Sequence, residues 1–203
     1  MAPERSAERD AAIAATLQHV AFDGWTLRAL RRGLGDIGVP ADDADILFPG
    51  GGTDMIEAFC DWADRGMEAE AATRGLDAMR VSERVRAVIA LRLERNRPHK
   101  EAVRRALALL ALPSNARLAA AVTARTVDAI WHAAGDRSAD FSWYTKRATL
   151  AAVYGATLLY WLRDSGEDDA ATLAFLDRRL AGVGRIGGLR RRAGQAFARV
   201  CPA

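Results

Sequence analysis

Apolar residues recur along this chain at intervals of three and four, the spacing that gives an α-helix one buried face. Ile13, Leu17 and Val20 share a face in a first helix, and Leu27, Leu30 and Leu34 mark a second that Thr26 is placed to cap. Met55, Ile56, Phe59, Ala63 and Met67 mark a helix beginning after Thr53. Val81, Val85 and Val88 mark another, capped at Ser82 or its neighbours. Val103, Leu107 and Leu110 mark a helix that Pro113 ends, and Leu118, Val122 and Ile130 one that Gly135 closes. A long helix follows Asp140, its N-cap, and runs to about Asp164, with Gly166 beyond its end. Leu173, Leu176 and Leu180 lie on the next, and a short segment after Gly187-Gly188 finishes the chain. Alternation of period two, which a half-buried strand needs, is nearly absent. The pattern predicts an all-α protein of about ten helices with short connections. One domain is expected over 1–182, followed at 183–203 by a Gly-rich hinge and a basic amphipathic helix.

Composition narrows the class. Half of the 203 residues are apolar and 27% are charged, which excludes a disordered or collagen-like chain. The net charge of +3 conceals an asymmetry: residues 178–203 hold seven arginines and no acid, so the rest of the chain is net acidic. The longest uncharged run that matters, Ala148–Leu162, falls short of the roughly 20 apolar residues that a spanning helix needs. Acids at Glu4, Glu8 and Asp10, with no apolar run after them, argue against a secretory or transit segment. Taken with the family resemblance given below, that leaves a bacterial cytoplasm, with peripheral contact to the inner membrane, as the implied setting.

Catalytic and metal-binding chemistry is hard to find. Cys60 and Cys201 are far apart and suggest neither a disulfide framework nor a zinc site. His19, His99 and His132 sit on three different segments, outside any Glu-x-x-His or His-x-x-x-His spacing. Gly182, Gly184 and Gly187 spell G-x-G-x-x-G, but a helix precedes them where dinucleotide binding needs a strand. Asp128, Asp136 and Asp140 cluster in sequence, and helix-end capping accounts for them. A protein that is not an enzyme and uses no metal is the expectation.

Residues 25–48 have the spacing of a helix-turn-helix, with Gly38-Val39-Pro40 at the turn. With Phe48-Pro49-Gly50 and the helix after it, they resemble the N-terminal layout of TetR-type regulators. A reading helix needs cations and amides to approach phosphates and base edges. This one offers Asp42, Asp43 and Asp45 and no cation, which a duplex repels. Nucleic acid is thus an unfavoured partner, with Arg28, Arg31 and Arg32 on the preceding helix left as the minor route to it.

The segment Asp140–Asp164 carries more. Trp143, Arg147, Leu150, Tyr154 and Trp161 follow one helical face, while Ala148, Ala152, Gly155 and Ala156 lie opposite. Such a stripe serves packing or lines an apolar ligand pocket, and composition leaves both open. At the end of the chain, Ile186, Leu189, Ala193, Ala196, Phe197 and Val200 recur at helical spacing among Arg190, Arg191, Arg192 and Arg199. That pattern suits either an anionic membrane surface or docking onto protein.

One string is more specific. Trp131-His132-Ala133-Ala134-Gly135-Asp136, then Ser138, Asp140 and Trp143-Tyr144-Thr145-Lys146-Arg147-Ala148, resembles the signature of the coenzyme Q (ubiquinone) biosynthesis accessory family that binds isoprenoid lipids. Arg92-Leu93-Glu94, the run Arg105–Ala116 and Phe175-Leu176-Asp177-Arg178-Arg179-Leu180 extend the match over roughly residues 20–180. The resemblance implies a TetR-like all-α fold, usually a homodimer, that has given up DNA. It implies a bound isoprenoid lipid or quinone in place of a cofactor, with Leu150, Tyr154, Leu158 and Trp161 as lipid-binding residues. It further implies presentation of a quinone intermediate to a di-iron demethoxyubiquinone hydroxylase, with Ile130, Trp131, Trp143 and Tyr144 on the partner-facing or lipid-access surface. The tail, through Leu189, Arg190, Arg191, Arg192, Phe197 and Val200, is expected to bind the membrane surface. A TetR-type transcription regulator with an apolar effector is the alternative.

Overall fold

The computed structural model describes residues 4–136, 142–166 and 168–183. The expected N-cap at Asp140 and the whole membrane-binding set, Leu189, Arg190, Arg191, Arg192, Phe197 and Val200, lie outside the described residues. The architecture is all-α, and among the described residues there is no strand. The chain forms two compact units, Met1–Arg137 and Ser138–Ala203.

In the first unit α1 (Ala7–Asp23) starts at Ser6, whose Oγ accepts the Arg9 backbone N–H at 3.1 Å. It ends at Gly24, where φ of +70° lets the cap N–H reach back to the Val20 carbonyl. α2 (Leu27–Asp36) begins as its sequence predicts, the Thr26 hydroxyl accepting from Ala29 N–H at 3.3 Å; such a cap contributes about 1 kcal/mol. The two helices approach so closely that a Cβ on Gly33 would stand 2.7 Å from the Thr16 nitrogen. After the turn at Gly38, a short 3₁₀ turn, Ala41–Asp43, leads into α3 (Ala44–Leu47), a single helical turn.

α4 (Gly51–Thr73) is the central helix of this unit and packs on α1 and on the two helices α5 (Val81–Asn96) and α7 (Ala116–Ala133). It begins at Gly51, ahead of the expected start after Thr53. The backbone of Trp25 crosses there, so that only glycine fits: a Cβ on Gly52 would clash with the Trp25 carbonyl oxygen. α5 is closed at its first turn by Glu83, a neighbour of Ser82, which accepts the Arg80 N–H at 3.0 Å. α6 (Lys100–Leu110) stops at Leu110, and Pro113 opens a 3₁₀ turn leading into α7.

Arg9 ties three of these elements together. Its buried guanidinium donates to the Leu47 carbonyl at the end of α3 and to Asp54 on α4, and it lies 4.2 Å from the centroid of the Phe48 ring. Nearby, Asp61 on α4 accepts from Arg5 at 2.6 Å and from Arg65 at 2.9 Å, and Arg65 also reaches Asp10 on α1. Although burial opposes it, these two cations hold the Asp61 carboxyl below its ordinary range.

The second unit is a helical hairpin of α8 (Ser142–Arg163) and α9 (170–183). The Trp161 indole donates to Asp169 at 3.1 Å, and Asp164 accepts both the backbone N–H and the hydroxyl of Thr172, at 3.0 and 2.6 Å. Asp168 accepts the Ala170 N–H at 3.1 Å at the start of α9. Asp169 takes φ of +53° at the corner, a conformation that Asp adopts more readily than most residues.

Candidate functional site

The signature string begins on the last turns of α7. Ile130 is fully buried, Trp131 and His132 follow it, and the Gly135 backbone, with φ of +73°, turns the chain out of the helix. The Asp136 N–H reaches back to the Trp131 carbonyl at 3.0 Å, which completes the helix end. Ile130 therefore presents no surface of its own, a correction to its expected place on the partner-facing side. A β-branched side chain one helical step from the buried Val127 falls on the core stripe.

On α8 the sequence-expected lipid residues share one buried face: Leu150, Tyr154, Leu158 and Trp161 are each less than a tenth exposed, together with Val153, Thr157 and Leu162. The Thr157 hydroxyl is turned onto the Val153 carbonyl at 2.8 Å, so it adds no unmatched polarity to that face. Toward the start of the helix Trp143 meets Tyr144 edge to face at 4.7 Å, and the Arg147 guanidinium covers the Trp143 ring at 3.7 Å. Tyr144 stands out at 72% exposure. The opposite face is small or exposed: Ala148 and Ala152 lie in solvent and Leu159 is 61% exposed.

A second aromatic cluster escaped sequence reasoning. Tyr160 stacks on Phe175 of α9 at 4.6 Å with the rings 11° from parallel, and Arg179 lies 4.8 Å from the Phe175 centroid. The Phe175-Leu176-Asp177-Arg178-Arg179 string was the available signal, but the pairing depends on the hairpin and not on spacing within one helix.

Inside the first unit a charged network links α4, α5 and α7. Arg92 pairs with Asp64 at 3.0 Å, and the Thr126 hydroxyl donates to the other Asp64 oxygen at 2.9 Å. Burial pushes the Asp64 carboxyl up to about 6, against the opposing pull of Arg92 and Thr126. Desolvation pushes the nearby Cys60 thiol up to about 12, which leaves it protonated and a poor nucleophile. Among the described residues no group of three or more His, Cys, Asp or Glu side chains is placed to hold a metal ion. Among them, too, no single helix is long and apolar enough to cross a membrane.

The helix-turn-helix portion has its cations already engaged. Arg28 and Arg32 both pair with Asp23, at 3.3 and 2.6 Å, and Arg31 pairs with Asp45 at 2.8 Å. Asp42, on the 3₁₀ turn, and Asp45, on α3, are exposed on the segment that would have to enter a groove. Approach to phosphates through α2 would first have to break these pairs.

Residues 116–187 match the family model described as COQ9. The chain is 33% identical over 175 residues to "Ubiquinone biosynthesis protein COQ9, mitochondrial" of Rattus norvegicus, a match over 83% of this chain and 56% of the relative. The human protein of the same name is likewise 33% identical, over 55% of its length. The protein of that name from Schizosaccharomyces pombe is 32% identical over 177 residues, 86% of this chain and 69% of the relative. The chain thus spans about half the length of the rat and human relatives. A crystal structure of a TetR transcriptional regulator from Nitrosomonas europaea superposes with a TM-score of 0.70 at 24% identity, over 87% of this chain and 97% of that one. That likeness is one of fold, and it bears out the TetR-like all-α architecture.

The relatives also correct the expected bacterial cytoplasmic setting, since their names place them in mitochondria. That expectation leaned on the acids of the first residues. Glu8 and Asp10 occupy the first turn of α1, where a helix N-terminus favours negative charge and Asp10 pairs with Arg65. Their charge answers to folding and says nothing about destination.

Proposed function

The chain belongs to the COQ9 family of ubiquinone biosynthesis proteins, and from that premise we propose that it is a non-catalytic accessory protein that holds the isoprenoid tail of a quinone-pathway lipid along the apolar face of α8. The observation that carries this reading is the continuous face of Leu150, Tyr154, Leu158 and Trp161, which lies within the family-matched segment. An isoprenoid tail offers only apolar surface, and withdrawing it from water stabilises the complex by roughly 25 cal/mol per Å². Nothing more than shape and greasiness is asked of the residues that receive it.

The lipid's head is handed to a demethoxyubiquinone hydroxylase. Tyr144, exposed beside Trp143 on α8, is a contact for that partner, and Trp131 of α7 is another. The arginine-rich residues 184–203 bring the protein to an anionic membrane surface, at which each nearby cation contributes about 1 kcal/mol. The exposed face of α8, with alanines where a second helix would need close approach, supports a homodimer. Regulation through DNA is disfavoured by the exposed acids of the short third helix and by the engaged arginines of α2.

Complementation tests this function. Expressed behind a mitochondrial leader in Schizosaccharomyces pombe lacking its own COQ9 protein, the chain is expected to restore cellular ubiquinone. Leu158→Asp, accumulated to the same protein level, is expected not to. No restoration by the unaltered chain, or equal restoration by the variant, would contradict the reading.

A further inference from the structure

The first unit carries a groove that the proposed lipid-binding role leaves unassigned. It measures about 550 Å³ and lies between the start of α1, the end of α2 and α3. Leu34 is fully buried among its walls, Ile37 and Leu47 flank it, and Ile46 stands on its edge with 77% of its surface in solvent. The polar members of its lining are carboxylates, Glu8 and Asp43, and no Lys or Arg lines it. Basic side chains on the same helices are engaged elsewhere: Arg9 faces inward onto Leu47 and Asp54, and Arg31 pairs with Asp45. Glu8 accepts from Ser6 and from its own backbone N–H, which holds its carboxyl below the ordinary range and keeps it charged at neutral pH.

We propose that this groove is a docking site for a basic amphipathic helix of a partner protein. An apolar floor lined by two carboxylates and no cation calls for an occupant with aliphatic side chains on one face and Lys or Arg on its flanks. A helix presenting apolar residues at i, i+3 or i+4 and i+7 supplies both. The exposure of Ile46 and Ile37 on the edge favours an extended occupant, because a small molecule inside the groove would leave those side chains in water. This reshaped helix-turn-helix thus trades a nucleic-acid surface for one that selects cations and rejects phosphates.

The test uses the full chain and a fluorescein-labelled helical peptide of leucine and lysine, leucines at i, i+3, i+4 and i+7, read by fluorescence anisotropy. The expected result is binding of the lysine peptide, with a glutamate-for-lysine counterpart at least about tenfold weaker. Ile46→Lys is expected to weaken the lysine peptide by about tenfold or more, while Phe22→Lys, on an exposed α1 position outside the groove, changes it by less than about twofold. Circular dichroism checks that the variants fold; should Ile46→Lys fail, the pair Glu8→Gln with Asp43→Asn replaces it with the same expected loss. Equal binding by the two peptides, or equal effects of Ile46→Lys and Phe22→Lys, would overturn the proposal. So would binding of tetraphenylphosphonium that Ile46→Lys abolishes while the lysine peptide binds both proteins alike, which would make the groove a site for small lipophilic cations.

Discussion

At the scale of single residues, the structure turns on contacts that a sequence conceals. Gly33 and Gly35 are two steps apart on α2 and look interchangeable. Yet a Cβ at Gly33 would press on the backbone of Ala15 and Thr16, whereas one at Gly35 meets nothing within 4 Å. Replacing a helical glycine by alanine favours the helix by up to about 1 kcal/mol, and overpacking a close helix contact costs typically about 1–3 kcal/mol. Gly33→Ala is therefore expected to destabilise by about 1–2 kcal/mol, and Gly35→Ala to leave stability unchanged or raise it by up to about 1 kcal/mol. Urea unfolding followed by circular dichroism measures both, and a stabilised Gly33→Ala would show that α1 and α2 can separate at little cost. The Thr26 cap, by contrast, was legible, because a hydroxyl before an apolar helical run has a local role that needs no knowledge of the partner helix.

Elements were readable where their own apolar stripe defines them and misread where a neighbour does. The faces of α1, α4 and α8 follow their periodicity. The start of α4 depends on the passing backbone of Trp25, and the end of α3 on the guanidinium of Arg9, both set by distant sequence. The Asp64–Arg92–Thr126 network is of the second kind, since it joins α4, α5 and α7 across long sequence separations. Because the folded Asp64 binds its proton more tightly than the unfolded chain does, its contribution to stability is fully present below the ordinary Asp range near 3.8 and is lost as pH rises to about 6. Relative to Asp64→Asn, which has no such proton, the unaltered chain is expected to lose on the order of 2–3 kcal/mol between pH 4 and pH 7. Unfolding midpoints for the two proteins across that range provide the measurement; parallel profiles would mean that burial does not set the ionisation of Asp64.

For the molecule as a whole, periodicity was enough for an all-α chain, composition for the charge asymmetry of its last residues, and the helix-turn-helix spacing with the family resemblance for a TetR-like fold. The groove on the first unit stayed invisible because it is assembled from α1, α2 and α3, none of which shows an unusual pattern alone. The acids around the second helix of the helix-turn-helix were legible as an obstacle to DNA, but Asp43 among them was not legible as part of that groove. The α8 face was legible as apolar, while the sequence left both packing and lipid binding open. The measurement that separates them most directly is organic extraction of the purified full chain followed by mass spectrometry, before and after incubation with vesicles containing ubiquinone-pathway lipids. An isoprenoid lipid carried by the unaltered chain, and lost from a Leu158→Asp variant whose circular dichroism is unchanged, is the predicted result. Extracts free of isoprenoid even after incubation, or the same lipid retained by the variant, would contradict it.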